Sequence, residues 1–384
     1  MKSRASRTGA WLRPKAALSV LVAAATAAGL AAFGSAGTAR AATGPAQWHL
    51  AYRGHAAGLD DVTAVSAADA WAVGVAGTPS TGHPQFMHWD GKAWSVYNIS
   101  GITKFRPTSV KASAPNNVWA FGYNDAQVDD NPFAVIYHGS NEVTALKLPA
   151  GWQVGHEAVL SPTSVWGESN QGCSIAGSSV CTVLWHWNGT KWTSAAVPGQ
   201  VESVTAVGGH VFFLALTGVK FPANDGLASF GIGRPVIYEP TTKVYPLAGP
   251  DLQVDGTSAG LVVELNGQRY LAAHLTSGSQ PWRFWHWNGK AWTTIAEPSG
   301  IVDGGGATSD NAQGFWSGAS AHWTGTQWVN ADTFASSLAT AEVFIHAVAP
   351  VPGTSDVWGV GAVAASGQPV SAASTMVAVY GALP

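Results

Sequence analysis

The chain has 384 residues, with 19 Lys and Arg against 22 Asp and Glu, two cysteines and 19 tryptophans. Residues 1–41 hold six basic residues and no acid, so the remainder carries 13 basic against 22 acidic groups, a formal charge of −9. An acidic surface repels phosphate, which argues against nucleic acid and anionic membranes as partners. Gly, Val, Thr and Trp are abundant and Lys, Glu, Leu and Met scarce, which points to an all-β protein.

The chain opens like an export signal. Lys2, Arg4, Arg7, Arg13 and Lys15 precede an apolar run from Ala16 to Phe33, and Ala39-Arg40-Ala41 offers a small-x-small cleavage pattern. We therefore expect residues 1–41 to be a signal peptide and residues 42–384 a single, secreted, extracellular domain. No later apolar run reaches about 18 residues, so no membrane span is expected after the signal is removed. A monomer is expected.

Internal repetition is the strongest signal that follows. His88-Trp89-Asp90-Gly91-Lys92-Ala93-Trp94 returns at His186 to Trp192, at His286 to Trp292 and at His322 to Trp328. Degenerate copies stand at Ile136-Tyr137-His138-Gly139, Ile237-Tyr238-Glu239-Pro240 and Val379-Tyr380-Gly381. An earlier element precedes these, as in Ala70-Trp71-Ala72-Val73-Gly74, Val118-Trp119-Ala120-Phe121-Gly122, Val165-Trp166-Gly167 and Val357-Trp358-Gly359. Ahead of it lies a stretch of small apolar residues, such as Val62-Thr63-Ala64-Val65 or Val204-Thr205-Ala206-Val207.

Each unit thus reads as four strands, a to d. Strand a is the small-residue stretch and strand b carries the Trp element. Strand c ends at His-Trp, and Asp-Gly or Asn-Gly turns into strand d as a tight type I′ hairpin. Four antiparallel strands per repeat is the pattern of a propeller blade. Small side chains suit the crowded centre of a ring, and Trp suits the wider gaps further out. Seven units begin near Leu59, Ile102, Trp152, Val201, Asp251, Ser299 and Ala335. The last lacks a strand d, and Gln47 to Tyr52 reads like a strand d with no blade before it. The expectation is a seven-bladed β-propeller closed by the N-terminal strand, which also covers an exposed edge.

Cys173 and Cys181 lie close together in an exported chain and are expected to form a local disulfide. Two cysteines alone make a poor zinc site, and no metal ligand set is assigned. The histidines of the His-Trp segments recur once per blade and cannot converge on one ion, so each should bond within its own blade.

In a propeller the d–a and b–c connections open on one face, over the central channel. The starts of the a strands place Asp60, Asp61, Arg106, His156, Glu157, Glu202, Asp255, Asp303 and His346 near its mouth. These are the candidate ligand-binding residues. Asp60 and Asp61, as strand neighbours, should point to opposite faces. The acidic members are of a kind to hold a hard cation such as Ca²⁺, to serve as an acid–base pair for glycoside cleavage, or to be solvated turn residues. No cofactor is otherwise expected and no catalytic residue is assigned. Trp152, Trp185, Trp282 and Trp285 exceed the repeat: exposed, they would stack on sugars; buried, they would fill gaps between blades. The b–c segments Thr78 to Pro84, Gln127 to Pro132 and Phe221 to Arg234 vary between blades, as binding loops on a rigid scaffold do.

The repeat resembles tryptophan-rich secreted bacterial propellers, in the broad neighbourhood of the kelch and galactose-oxidase-like propellers. The resemblance covers nearly all of residues 45–384. It departs from kelch in its glycine pairs, approached only at Gly208-Gly209 and Gly304 to Gly306. It shows no sialidase-type Asp box and no copper ligands, so it carries over no catalytic residue. The leading functional expectation is a secreted, non-catalytic binding module for an extracellular glycan or protein at the channel mouth. A carbohydrate-active hydrolase or lyase using Asp61, Glu157, Glu202 and Asp303 is the alternative. The third expectation is a structural component of a cell-surface assembly, which would show a large exposed apolar patch.

Overall fold

The computed structural model describes residues 46–384 except 55–56, 78–81, 100–101, 103, 125–131, 141, 170–180, 221–229, 241–242, 247–251, 264–266, 276–281, 297–306, 311–313, 332, 336–337, 339–340, 367–372 and 382–384. The segment expected to be a signal peptide, Cys173 and most of the three variable b–c segments therefore lie outside the described residues. Among the described residues there is no helix, and so none long and apolar enough to cross a membrane.

All described elements are strands, and they form seven blades of four. The first strand is β1 (Trp48–Arg53). Blade 1 is β2 (Ala57–Ser66), β3 (Asp69–Ala76), β4 (His83–Trp89) and β5 (Trp94–Val96). Blade 2 is β6 (Arg106–Ala114), β7 (Asn117–Tyr123), β8 (Pro132–Tyr137) and β9 (Val143–Lys147). Blade 3 is β10 (Ala158–Ser161), β11 (Ser164–Ser169), β12 (Cys181–Trp187) and β13 (Trp192–Pro198). Blade 4 is β14 (Gln200–Val207), β15 (His210–Lys220), β16 (Phe230–Glu239) and β17 (Lys243–Pro246). Blade 5 is β18 (Leu252–Val263), β19 (Arg269–Leu275), β20 (Trp282–Trp287) and β21 (Trp292–Ile295). Blade 6 is β22 (Ala307–Ser309), β23 (Phe315–Ser317), β24 (Ala321–Trp323) and β25 (Trp328–Asn330). Blade 7 is β26 (Ala341–Pro350), β27 (Val357–Ala365) and β28 (Ser374–Tyr380), with β1 as its fourth strand.

The closing strand lies where the repeat demanded it. β1 pairs antiparallel with β28, Trp48 opposite Tyr380 and Arg53 opposite Met376. Trp48 is fully buried, meets Trp316 and Tyr380 edge-on, and donates its indole N–H to the Ala319 carbonyl at 3.2 Å. Gly359 leaves room for it: a Cβ there would come within 2.6 Å of the Trp48 ring. One apolar cluster fills each junction between neighbouring blades. The seventh joins blade 7 to blade 1 through Trp358, Val360, Leu59, Val62 and Trp94. Blades 4 and 5 also share a sheet, because the first half of β16 pairs with β18.

The repeated histidines stay within their blades. His88 lies opposite Trp71 and stacks on it at 4.3 Å, as His186 does on Trp166 and His322 on Trp316. Each also meets a polar residue at one end of the a–b connection: Asp69 at 3.5 Å and Ser164 at 3.4 Å at the start of strand b, and Asp310 at 2.8 Å just after strand a. Blade 4 keeps the pair with its members exchanged: His210 now begins strand b and bonds Glu239, which stands where the histidine stood, at 2.6 Å.

The hairpin differs from the type I′ expectation. Trp89 pairs with Trp94, so Asp90 to Ala93 form a four-residue loop. Gly91 has φ 86°, while Ser140 is the sole non-glycine with positive φ among the described residues. The physical reason is an Asx turn: Asp90 Oδ1 accepts the N–H groups of Lys92 and Ala93, both at 2.9 Å. Asn188 and Asn288 repeat the arrangement.

Candidate functional site

The a strands surround a central cavity of about 660 Å³, lined by β2, β6, β10, β14, β22 and β26. Near its mouth the strands share an irregularity. The register slips at Asp60 in β2, Thr108 in β6, Glu202 in β14 and His346 in β26. A bulge leaves one residue unpaired and re-aims its side chain. In blade 3 the equivalent residue is Gly155, and Glu157 stands immediately before β10.

A polar belt links these positions from blade to blade. His346 Nδ1 donates to the Leu59 carbonyl at 2.8 Å, tying blade 7 to blade 1. Asp60 lies near His346 and Arg106. Burial pushes its carboxyl up, against the pull of those two residues. Asp61 turns to blade 2, where its Oδ2 accepts from Lys111 Nζ at 2.6 Å and from the Val110 N–H at 2.9 Å. Burial alone would lower the Lys111 pKa, but Asp61 and Glu157 outweigh it and hold the ammonium above its ordinary value.

Ser109 carries the belt on to blade 3. Its hydroxyl lies 3.2 Å from Asp61 Oδ2 and 3.0 Å from Glu157 Oε2, and one hydroxyl proton can serve only one of them at a time. Glu157 is 2 % exposed and accepts further bonds from the Gly155 N–H and the Trp152 indole. Burial nevertheless pushes its pKa up, against Lys111 and these donors. A protonated Glu157 would donate to Ser109 and leave the serine proton for Asp61.

The belt ends in a carboxylate–imidazole–carboxyl group between blades 3 and 4. His156 Nδ1 meets Glu168 Oε1 at 3.0 Å. Glu168 is fully buried, and its Oε2 finds no hydrogen-bond partner among the described residues. Burial raises the Glu168 pKa, with His156 opposing. Burial alone would lower His156, but Glu168, with Glu157 and Glu202, turns it upward. The pair therefore holds its proton tightly. Glu202, on the bulge of β14, is 5 % exposed, lines the cavity and makes no hydrogen bond or ion pair among the described residues. Burial drives its pKa up to about 7, with His156 opposing and Glu168 adding to the rise.

Of the residues singled out by sequence, Asp61, His156, Glu157, Glu202 and His346 line the cavity. Asp60 and Arg106 lie near one another and are not among its lining residues, and Arg106 is exposed at the start of β6. Asp255 falls in β18, its side chain outside the description, and Asp303 lies outside the described residues. No group of three or more His, Cys, Asp or Glu among the described residues is arranged to hold a metal ion, so the Ca²⁺ reading has no ligand set there.

Three members were missed by sequence: Ser109, Lys111 and Glu168. Lys111 stands where β2 and β14 have Thr63 and Thr205. Glu168 stands where blades 1, 2 and 7 have Val73, Phe121 and Val360, all buried between blades. A charge at a core position of the repeat was the available signal.

The extra tryptophans fill gaps. Trp152 is 2 % and Trp285 8 % exposed, and Trp185 donates to Ser169 Oγ at 3.0 Å. Trp152 lies over Gly167, where any Cβ would collide with its ring. The Trp282 side chain is outside the description.

Fold and cavity define a tryptophan-rich, seven-bladed β-propeller with a polar central channel. No protein-family model matches the chain, and no curated protein does. Among solved structures it is similar to YCF48 bound to a D1 peptide, at 13 % identity and TM-score 0.52, over 89 % of this chain and 98 % of that one. It is also similar to the β-propeller domain of the Trilobed protease from Pyrococcus furiosus, at 10 % identity and TM-score 0.51, over 85 % of this chain and 95 % of that one. That domain is described by an open velcro topology, whereas here β1 closes the last blade. At such identity the likeness concerns the fold.

Proposed function

We propose that the chain is a secreted, non-catalytic binding module that takes an extracellular ligand at the channel mouth. The observation that carries this reading is the polar belt, which gathers charged residues from consecutive blades around one cavity of about 660 Å³. A rigid ring with a preformed polar concavity is a common binding design. A protein ligand is favoured over a glycan. The described lining of the cavity contains no Trp, Tyr or Phe ring on which a sugar could stack, and Trp152 and Trp285 are spent in the core. The peptide on YCF48, a protein of the same fold, agrees with this choice. A structural role has less support, since Val96 is the exposed large hydrophobic residue among those described.

The same reading takes residues 1–41 as a removed export signal, Cys173 and Cys181 as a disulfide, and the kelch and galactose-oxidase-like propellers as its broad neighbourhood. It is tested by probing peptide and glycan arrays with the chain from residue 42, beside a Thr205→Trp variant that fills the cavity. Specific retention abolished by Thr205→Trp is expected. Retention indifferent to that change would remove the channel from the proposal.

A second reading has one observation behind it. His156 held by a buried carboxylate, beside a carboxyl of pKa about 7, has the form of an acid–base pair. Among the described residues it narrows the hydrolase or lyase alternative to Glu202 and His156, because Asp61 is bound to Lys111 and Glu157 is enclosed by its donors, while Asp303 lies outside the described residues. Polysaccharide cleavage lost in Glu202→Gln would support it. A full panel of polysaccharides left intact by the native chain would end it.

A further inference from the structure

We propose that Glu202, backed by Glu168 and His156, is a receptor for a primary ammonium group that a ligand presents to the channel. The inference rests on the channel-binding reading and names the chemistry of the ligand.

The argument begins with an unpaired group. Glu202 is 95 % buried, lines the cavity and meets no donor among the described residues. Its carboxyl opens on the cavity with no protein donor, so water or a ligand group must satisfy it there. Two cations of the belt are already committed: Lys111 to Asp61 at 2.6 Å, and the Nδ1–H of His156 to Glu168 at 3.0 Å. Behind Glu202 the fully buried Glu168 has one oxygen with no partner. The local excess of charge is therefore negative, and what it lacks is a cation of hydrogen-bonding size. A metal ion is disfavoured, since no third ligand of the right kind converges there among the described residues. An ammonium needs only two or three acceptors around one nitrogen.

The protonation state gives this site a signature. Burial leaves Glu202 only half ionised near pH 7. A bound ammonium favours the carboxylate, so binding expels a proton and strengthens as pH rises through 7. Among the described residues the charged groups around Glu202 are His156 and Glu168. Deprotonation of His156 removes a competing positive charge, so it acts in the same direction.

Nα-acetyl-lysine methylamide, its Nε-acetylated form and spermidine would be titrated into the chain from residue 42, followed by amide NMR shifts of Gly155 and Ser203. The amine is expected to bind roughly tenfold tighter at pH 8 than at pH 6, and the acetylated form to bind negligibly. Glu202→Gln should abolish the binding, and Glu202→Asp should keep it with its pH dependence. Preference for the lysine mimic would point to a protein ligand, and preference for spermidine to a free polyamine. Equal binding of the acetylated form, or unchanged binding in Glu202→Gln, would overturn the proposal. An array ligand lost on Thr205→Trp but kept by Glu202→Gln would spare the channel reading and refute only the ammonium. A ligand indifferent to both would refute both.

Discussion

The His–Trp hairpins and the channel-side bulges use one repeat in opposite ways. In the hairpins both position and residue recur: His88, His186 and His322 each stack on the tryptophan opposite and meet a polar partner at one end of the a–b connection. At the bulges only the position recurs, occupied by Asp60, Thr108, Glu202 and His346. Blade 4 shows why the first kind is architecture, since exchanging the pair as His210 and Glu239 preserves the contact. The second kind has no such constraint, so chemistry can differ from blade to blade at a fixed place.

The contrast can be tested from its largest consequence downward. Trp48→Ala removes a fully buried ring at the closing strand and should cost about 3–5 kcal/mol, read by chemical denaturation. A loss below 1 kcal/mol would mean that the seam does not hold the ring. Glu202→Gln should do the reverse. A carboxyl raised from 4.5 to about 7 contributes stability below its unfolded pKa and loses it as pH rises through its folded pKa. The variant should therefore be more stable than the native chain at pH 8, by roughly 2–3 kcal/mol, and nearly equal at pH 4. Melting curves at the two pH values that differ by the same amount would contradict the burial of Glu202.

Ser109→Ala deprives the belt of its bridge between Asp61 and Glu157 and should cost about 1–2 kcal/mol. An unchanged denaturation midpoint would show that the bridge carries no net weight. The smallest effect belongs to the hairpin pair of blade 4, where the His210 side chain is 54 % exposed. A double-mutant cycle with His210→Ala and Glu239→Ala should give a coupling of about 0.5–1 kcal/mol. The exchange His210→Glu with Glu239→His should recover it, and a recovery of nothing would separate blade 4 from the others.

The blades were legible because their signals are local and periodic. Trp71, Trp119, Trp166 and Trp358 mark strand b by type and spacing, and the incomplete seventh unit foretold the partner of Tyr380. The belt was legible only where register sufficed, as for Asp61, His156, Glu157, Glu202 and His346. Lys111 and Glu168 escaped because their positions read as strand interior, and their function depends on the neighbouring blade rather than on their own. The Asx turn escaped for a related reason: Asp-Gly is compatible with two loop lengths, and the cross-strand pairing of Trp89 with Trp94 decides between them.

The pairing of β1 with β28 joins the two ends of the fold through five opposed residue pairs. The entropy of closing so long a loop grows only with the logarithm of its length, so the equilibrium penalty is modest. The kinetic penalty is larger, because such distant partners meet only after the blades between them are in place. The clasp thus acts as a checkpoint on assembly: until it forms, the edges of β1 and β28 remain open to other strands, and the ring is exposed to pairing with a second chain.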